Sequence, residues 1–199
     1  SCMAKKVIIA TNNAHKVEEI SDFFSALDWE CESLAQAGID SNPEETGTTL
    51  IENARIKAQA AHELSGCAVL ADDSGLLVDA LDGAPGVYSS RYAGEDGNDQ
   101  KNNAFLLENI AQVGPEDRTA HFSCVLCFID EDGTETTAEG RVEGLIGFEE
   151  RGSEGFGYDP LFLPDDFDNE YTFAELGLAE KQKVSHRARA LRALMNKLS

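Results

Sequence analysis

The sequence predicts an α/β fold with a mixed central β-sheet flanked by helices, and two observations carry that prediction. The apolar run 5–10 is followed by a helical pattern and then, much later, by a second apolar run at 67–71; this order is typical of a βαβ start. Further on, 119–130 and 135–143 read as two strands joined by the turn Glu131-Asp132-Gly133, which indicates a hairpin. Together, the two patterns require strands of both directions in one sheet.

Helical patterns lie between and after these strands. The first follows the turn 11–15, and its apolar positions Val17, Ile20, Phe24 and Leu27 have helical spacing. The second begins at the capping-box signature Thr49-x-x-Glu52 and ends at Gly66. The third spans 98–113. The last follows Ser185 and carries an apolar stripe of Ala188, Leu191, Met195 and Leu198.

Polar or glycine-rich loops occupy 41–48, 72–97 and 152–168. No linker-like stretch divides the chain, so we expect a single α/β domain over 1–199. Ser1 and Cys2 precede Met3, and we interpret them as a remnant outside the native chain.

The composition excludes several classes of protein. The chain has 199 residues, 42% of them hydrophobic, which is enough to bury a core and too many for a disordered tail. Its net charge of −21 repels phosphate backbones and anionic lipid, so we expect no nucleic-acid polymer and no membrane among its partners. No apolar run is long enough to cross a bilayer, and no signal-peptide pattern is present. We therefore expect a cytoplasmic protein.

The five cysteines show no disulfide framework. Cys124 and Cys127 form a CxxC motif, which could indicate zinc or redox chemistry. The motif lies in a predicted strand, where residues three apart point to opposite faces, and no second ligand pair completes a zinc site. We therefore expect structural, buried thiols.

The first candidate site is a turn between the first strand and the first helix. The N–H groups at a helix N-terminus favour an anion, and a lysine in the turn adds a positive charge. A phosphate-binding turn and an ordinary Asn-capped turn both remain open. The residues of this turn are Thr11, Asn12, Asn13, Ala14, His15 and Lys16.

The second candidate site is acidic. Glu44 and Glu45 lie in a polar loop, and Asp72-Asp73-Ser74-Gly75 is predicted to follow the end of a strand, where open α/β sheets bind ligands. Such oxygen donors suit Mg²⁺, and one carboxylate could act as a base. Solvated charges and a capped turn are the alternative. On the neighbouring helix, Asn53 and Lys57 share a face; they could reach the acidic loop or form a surface pair.

Two further clusters complete the candidates. Gly155-Phe156-Gly157-Tyr158-Asp159 offers aromatic faces, close backbone approach and a hydrogen-bond acceptor, as a base pocket needs; a structural turn is the alternative. Residues 180–199 carry six basic side chains and one glutamate, a net of +5. Among them, His186 and Arg187 open a helix, where positive charge opposes the helix dipole. Either a bound phosphate or carbonyl, or a salt bridge, would account for them.

Five segments together resemble the inosine triphosphate pyrophosphatase family, the non-canonical purine nucleoside triphosphate pyrophosphatases. They occur in the family's order between about Val7 and Leu194: TNNAHK, EETGTTLIENARIKA, ADDSGLLVDALDGAPGVYSSRYAG, GFGYDPLF and EKQKVSHRARAL. The family often has Gly in place of Asn12 and Asn in place of Gln182; neither difference removes a charged group.

The resemblance implies an elongated, two-lobed fold with an active-site cleft between the lobes. It also implies a Mg²⁺-dependent homodimer that converts ITP, dITP and XTP to the monophosphate and pyrophosphate. By the same resemblance, Asp73 is the proton acceptor, and Glu45, Asp72 and Asp73 bind the metal. The substrate-binding positions implied are 11–16, Ser74, Phe156, Gly157, Tyr158, Asp159, Lys181, His186 and Arg187, with Asn53 and Lys57 in support.

Two other functions remain open at this point. A Maf-like pyrophosphatase would act on modified pyrimidine nucleotides, although the long ADDSGL and SHR motifs argue against it. A catalytically silent nucleotide-binding module would be expected to lack Asp73, Glu45 or Lys16, and all three are present.

Overall fold

A computed structural model describes residues 5–199 of the chain, and their strands and helices follow one another in an α/β order. The strands are β1 (Lys5–Ile9), β2 (Trp29–Ser33), β3 (Val69–Val78), β4 (Thr119–Ile129), β5 (Glu135–Ile146) and β6 (Phe162–Pro164). The helices are α1 (Ala14–Phe24), α2 (Leu34–Ala37), α3 (Leu50–Ser65), α4 (Asp99–Asn109), α5 (Phe173–Leu176), α6 (Leu178–Val184) and α7 (His186–Leu198).

The strands form one six-stranded sheet in the order β2-β1-β3-β4-β5-β6 among the described residues. β1 pairs in parallel with β2 and β3, whereas β5 pairs with β6 in antiparallel. The predicted mixed sheet is therefore confirmed. The chain divides into two compact units.

The first unit contains the described residues up to Asp73, together with Cys124–Gly140 and Arg187–Ser199. Its strands are covered on both faces because their side chains alternate. Val7 and Ile9 of β1 join one apolar cluster with α1 and α7. Ile8 joins a second cluster with α3. The alanines of α3 (Ala54, Ala58 and Ala61) are fully buried there, and such small side chains let a helix lie close to a sheet.

The second unit contains Ser74–Ser123 and Arg141–His186. Its core joins Leu106 of α4 to Val142 of β5 and to the aromatic rings of Phe122, Phe162 and Phe173. The Phe122 and Phe162 ring centroids are 4.6 Å apart and tilted by 50°, a favourable geometry for an aromatic pair.

Several predicted boundaries were wrong. α1 ends at Phe24, so Leu27 lies beyond the helix and is 43% exposed; the chain must turn there to enter β2. The strand expected at 67–71 is β3, which continues to Val78. Asp72 and Asp73 therefore lie within a strand rather than after its end. Burial of charged residues in mid-strand requires charged partners. Arg187 is the partner of Asp72, and Lys57 is the partner of Asp73.

Sequence patterns also missed or shifted several short elements. β2, α2, α5 and α6 were not predicted, and β6 lies in the segment expected to be a loop. The third helix is shorter than expected, because Asn98 caps it and it ends at Asn109. At α3, Thr49 accepts a hydrogen bond from the N–H of Glu52 as predicted, but the Glu52 carboxylate accepts from the N–H of Thr48 instead of closing the capping box.

The CxxC thiols lie on opposite faces of β4, as predicted. Cys124 and Cys127 are both fully buried, one in each apolar cluster of the first unit. Burial raises the pKa of Cys127 to about 12, which makes it a poor nucleophile at neutral pH. Cys31 and Cys67 are half-buried, less than expected, and Cys2 lies outside the described residues.

Within residues 5–199, no helix is both long and apolar enough to cross a membrane.

Candidate active site

The turn between β1 and α1 is capped by Asn13. Its side-chain oxygen accepts from the N–H groups of His15 and Lys16, at 3.0 and 3.3 Å, and Asn12 donates to the carbonyl of Ser41. Residues 12–15 are exposed. The structure therefore shows the Asn-capped turn, with two of the helix N-terminal donors already used. The lysine of this turn contacts a carboxylate of β3, because Lys16 Nζ lies 3.0 Å from Asp72 Oδ1.

Asp72 is the centre of a buried ion cluster. Its Oδ2 accepts from Arg187 Nε and Nη2 at 3.2 and 3.1 Å, and Arg187 Nη1 donates to Glu19 Oε1 at 3.1 Å. All three side chains are at least 96% buried. Burial alone would lower the pKa of Arg187, but the carboxylates outweigh it and raise the pKa. The salt-bridge alternative for Arg187 is thus present in the structure, which explains a cation at a helix N-terminus.

Glu45, Lys57 and Asp73 form the second charged cluster. Lys57 Nζ lies 3.2 Å from Glu45 Oε1 and 3.4 Å from Asp73 Oδ1, so one ammonium group joins the acidic loop to β3. Burial works to lower the pKa of Lys57, but the nearby carboxylates outweigh it and raise the pKa. Lys57 therefore reaches the acidic loop and is not a surface residue.

Asn53 holds that loop against α3. Its Oδ1 accepts from the N–H of Gly47 at 2.7 Å, and the side chain is 1% exposed. A Cβ at Gly47 would come within 2.6 Å of the same oxygen, so only glycine permits this approach. The exposed neighbour Glu44 lies in the same loop, which makes it a natural comparison for Glu45.

The Asp73 carboxyl titrates far above the usual range. Burial raises its pKa to about 6, Asp72 and Glu45 add to the increase, and Lys57 and Lys16 oppose it. Its Oδ2 is buried and has no hydrogen-bond partner among residues 5–199. A carboxylate in this state is a stronger base than an exposed one, and it has a free acceptor atom.

This shift makes ionised Asp73 unfavourable for folding. The unfolded carboxyl ionises near 3.8 and the folded one near 6, so the contribution to stability is complete below pH 4 and is lost as the pH rises through 6. We expect Asp73→Asn to stabilise the metal-free protein by about 1–3 kcal/mol at pH 7.5 and by little at pH 4. Urea unfolding in the presence of chelator measures this difference.

Asp130→Asn is the matched control. The pKa of Asp130 is lowered by its hydrogen bond with Lys5, so the same substitution there should reduce stability at pH 7.5. A pH-independent effect of Asp73→Asn would contradict the expected titration.

The second unit holds the aromatic candidates. Asp159 is 2% exposed, and its Oδ2 accepts from Lys181 Nζ at 2.7 Å and from the N–H of Phe156 at 3.1 Å. Lys181 Nζ also lies 4.7 Å from the centroid of the Phe156 ring. Tyr158 donates its hydroxyl to the carbonyl of Ser89. The segment is therefore a tightly hydrogen-bonded turn with one half-buried aromatic ring, Phe156.

His186 and Ser74 occupy different surroundings in the same unit. The His186 ring is 4% exposed and stacks on Phe122, with centroids 4.7 Å apart. Ser74 is half-buried in β3. The candidate residues therefore fall into two groups. The first unit contains Lys16, Glu45, Lys57, Asp72, Asp73 and Arg187. The second unit contains Phe156, Tyr158, Asp159, Lys181 and His186.

Sequence reasoning missed three residues that hold these clusters. Glu19 binds Arg187, and both Asp99 and Asn103 of α4 bind the backbone of Gly157. Glu19 had one usable signal, since it is a charged residue on the apolar side of α1, beside Ile20. No local pattern singles out Asp99 or Asn103.

Two carboxylates fit a divalent cation. Glu45 Oε1 and Asp73 Oδ1 already share one positive group, Lys57, and a cation could take that place while Asp73 Oδ2, which has no hydrogen-bond partner among residues 5–199, stays available for a proton. Across the described chain, no set of three or more His, Cys, Asp and Glu side chains is arranged to hold a metal. Mg²⁺ binds through one or two carboxylates, several waters and substrate phosphates, so Glu45 and Asp73 are the residues that could hold it.

Comparison with known proteins decides the family. The Ham1 family model matches residues 7–197. The chain belongs to the Ham1 family. It is 50% identical to the dITP/XTP pyrophosphatase of Haemophilus influenzae over 198 residues, covering 98% of this chain and 100% of that protein.

Solved structures of the Ham1 family share the fold. The Staphylococcus aureus Ham1 protein superposes with a TM-score of 0.83 and the Coxiella burnetii HAM1 protein with 0.84. Each is 38% identical to this chain, with 98% of both chains covered. The α/β fold and the resemblance inferred from the five motifs are therefore confirmed. Neither the Maf-like pyrophosphatase nor the silent binding module gains support.

Proposed function

We propose that this Ham1-family chain is a nucleoside triphosphate pyrophosphohydrolase for non-canonical purine nucleotides, converting ITP, dITP and XTP to the monophosphate and pyrophosphate. The observation that carries the proposal is the convergence of Glu45, Lys57 and Asp73. It puts a buried basic carboxylate next to a positive group, as hydrolysis of a phosphoanhydride needs. The name of the Haemophilus influenzae relative supports the substrate class.

Asp73 is the proposed general base. Its Oδ2 has no hydrogen-bond partner in the described structure and would accept the proton of the attacking water. A pKa of about 6 leaves the group ionised at pH 7.5 and close enough to neutrality to be an effective acceptor. Asp72 binds Lys16 and Arg187, and the positive charge of Lys16 also acts on Asp73.

The positive groups of the first unit are the proposed phosphate ligands. Lys16 and Lys57 each contact a carboxylate now, and a polyphosphate offers them a stronger negative partner. The turn from Thr11 to Lys16 would contribute backbone donors that Asn13 does not occupy.

The segment Phe156–Asp159 is the proposed base pocket, with Lys181, His186 and Ser74 in supporting contacts. Phe156 is the half-buried aromatic ring of this turn and would stack on a purine. Hypoxanthine and xanthine carry a carbonyl at the 6-position where adenine carries an amino group. A hydrogen-bond donor such as Lys181 would favour the carbonyl. The adenine amino group does not accept from such a donor, so binding of adenine would leave a buried donor unpaired, which is unfavourable.

Mg²⁺ is the proposed cofactor, held by Glu45 and Asp73 with Asp72 adjacent. When bound, it would neutralise charge on the triphosphate and polarise the phosphoryl oxygens.

The remaining proposals are a homodimer and a cytoplasmic location. The elongated two-lobed shape with its cleft and the single catalytic domain over 1–199 also stay predictions.

The test of function is pyrophosphate release from ITP, XTP, dITP, GTP, ATP and dTTP with Mg²⁺. We expect kcat/KM for ITP, dITP and XTP to exceed that for ATP and dTTP. Preference for a pyrimidine would favour the Maf-like alternative, and no turnover of any nucleotide would favour the silent module.

Chelation is expected to abolish activity without unfolding the protein. The carboxylates cannot approach a triphosphate without a neutralising cation, whereas the core does not depend on a metal. Glu45→Gln should raise the Mg²⁺ concentration required for half-maximal activity and reduce the thermal stabilisation by Mg²⁺. Glu44→Gln, at the exposed neighbour, should change neither. Full activity in excess EDTA would remove the metal from the mechanism.

A further inference from the structure

The carbonyl and the N–H of Gly157 are both bound by one helix. Asp99 Oδ2 accepts from the Gly157 N–H at 2.8 Å, and Asn103 Nδ2 donates to the Gly157 carbonyl at 3.0 Å. Asp99 and Asn103 are four residues apart on α4, so their side chains lie on the same face. The helix thereby holds both polar groups of a single residue in the middle of the aromatic turn.

Gly155 and Gly157 of this turn both have a positive φ. At Gly157 φ is +60°, a left-handed conformation that glycine leaves readily. Its neighbours are fixed by other contacts, because Tyr158 donates to the Ser89 carbonyl and Asp159 binds Lys181. Phe156 directly precedes Gly157 in the chain, and its N–H donates to Asp159 Oδ2 within the same turn. A change in the backbone at Gly157 would therefore move the adjacent Phe156 ring.

Asn103 is poorly suited to a purely stabilising role. The side chain is 2% exposed, and its Oδ1 has no hydrogen-bond partner in the described structure. A buried acceptor without a partner is unfavourable, and a leucine of similar size would avoid that cost. Its neighbour Asn102 shows the contrast, because both ends of that amide are bonded, to the Ala93 N–H and the Ser90 carbonyl.

We propose that Asp99 and Asn103 are positioning residues that hold the Gly157 backbone and thereby orient Phe156 toward the purine base. The inference rests on the proposed function of Phe156–Asp159 as the base pocket. Neither residue touches the substrate. They act through Gly157, so they should affect recognition of the base more than the chemical step.

The first measurement follows the turn itself and needs no substrate. Hydrogen–deuterium exchange of the peptide containing 155–159 should become about two- to tenfold faster in Asn103→Leu, which is the effect of losing one net hydrogen bond. Leu106→Ala is the matched control: it creates a cavity at a fully buried position of α4 but leaves both bonds to Gly157 intact. Unchanged exchange in Asn103→Leu would overturn the proposed positioning.

The second measurement is steady-state kinetics with ITP and ATP. Asn103→Leu should raise KM for ITP about tenfold, keep kcat within about twofold, and lower the ITP/ATP ratio of kcat/KM. Asp99→Leu should act in the same direction, and Asp99→Asn, which retains an acceptor oxygen, should restore the wild-type KM. Leu106→Ala should lower the thermal midpoint without changing the ITP/ATP ratio.

The outcomes separate this inference from the proposed function. If the wild-type protein hydrolyses no purine triphosphate, the proposed function fails, while the exchange result still reports on the turn. If the wild type is active and Asn103→Leu loosens the turn but leaves KM and the ITP/ATP ratio unchanged, the positioning role is wrong. A parallel loss of activity in Asn103→Leu and Leu106→Ala would show only a structural role.

Discussion

Asp73→Asn is expected to lower kcat for ITP by about 10²–10⁴, the range typical of a general acid or base. The amide cannot accept the proton that we assign to Asp73 Oδ2, an atom without a hydrogen-bond partner in residues 5–199. KM should change much less, because Lys57 keeps its contact with Glu45. Pyrophosphate release under saturating ITP and Mg²⁺ measures the effect.

The stability of Asp73→Asn distinguishes loss of the general base from loss of activity through misfolding. Because ionised Asp73 is unfavourable for folding at neutral pH, Asp73→Asn should lose most of its kcat and yet be more stable than the wild type when both are unfolded in chelator. A variant that was inactive because it misfolded would show the opposite. Asp130→Asn, outside the cluster, should retain full kcat. Wild-type kcat in Asp73→Asn at saturating Mg²⁺ would remove Asp73 from the mechanism.

Arg187→Met is expected to destabilise the protein by about 3–5 kcal/mol, because it leaves Asp72 and Glu19 buried without their cation. Arg187 is 1% exposed, and its guanidinium donates to both of these carboxylates. For a chain of this length, the loss corresponds to a decrease in Tm of about 6–20 °C. Denaturant unfolding at pH 7.5 provides the free energy directly.

Two further variants show whether the buried ion cluster causes that loss of stability. Arg192→Met changes an exposed arginine of the same helix and should shift stability by no more than about 0.5 kcal/mol. Replacing the whole cluster (Glu19→Leu, Asp72→Leu and Arg187→Met) should recover stability relative to Arg187→Met alone. Arg187→Met with unchanged unfolding would show that the buried cluster contributes nothing. Arg187→Lys tests whether Arg187 also binds the substrate. Lysine keeps the charge but lacks the planar guanidinium, so the preference for ITP over ATP should decrease if the guanidinium contacts the base.

Local patterns predicted the regular elements well where one short stretch contains the whole signal. Thr49 and Gly66 mark the ends of α3, and alternation in β1 sends Ile8 and Ile9 into different clusters. The positions of Cys124 and Cys127 on opposite faces follow from the same period of two. These features depend on residues within a few positions of one another, so the sequence contains them directly.

Long-range pairing accounts for the errors. Strand propensity predicts that β3 ends before Asp72, because buried carboxylates are unfavourable. Arg187 lies 115 positions away in the chain and makes that burial possible. The same argument applies to Lys57, whose sequence neighbours suggest a surface residue until Asp73 of β3 is brought to it.

The sequence by itself determined the α/β class, the family and the chemical types of the candidate residues, because motif order and side-chain period survive without any knowledge of packing. Only the tertiary structure decided which charge faces which. It assigned Arg187 to Asp72 and Glu19, gave Asp73 its raised pKa, and brought Asp99 and Asn103 to Gly157. The physical reason is that burial and ion pairing depend on distances between residues far apart in the chain, and the free energy of a charge changes by several kcal/mol with those distances.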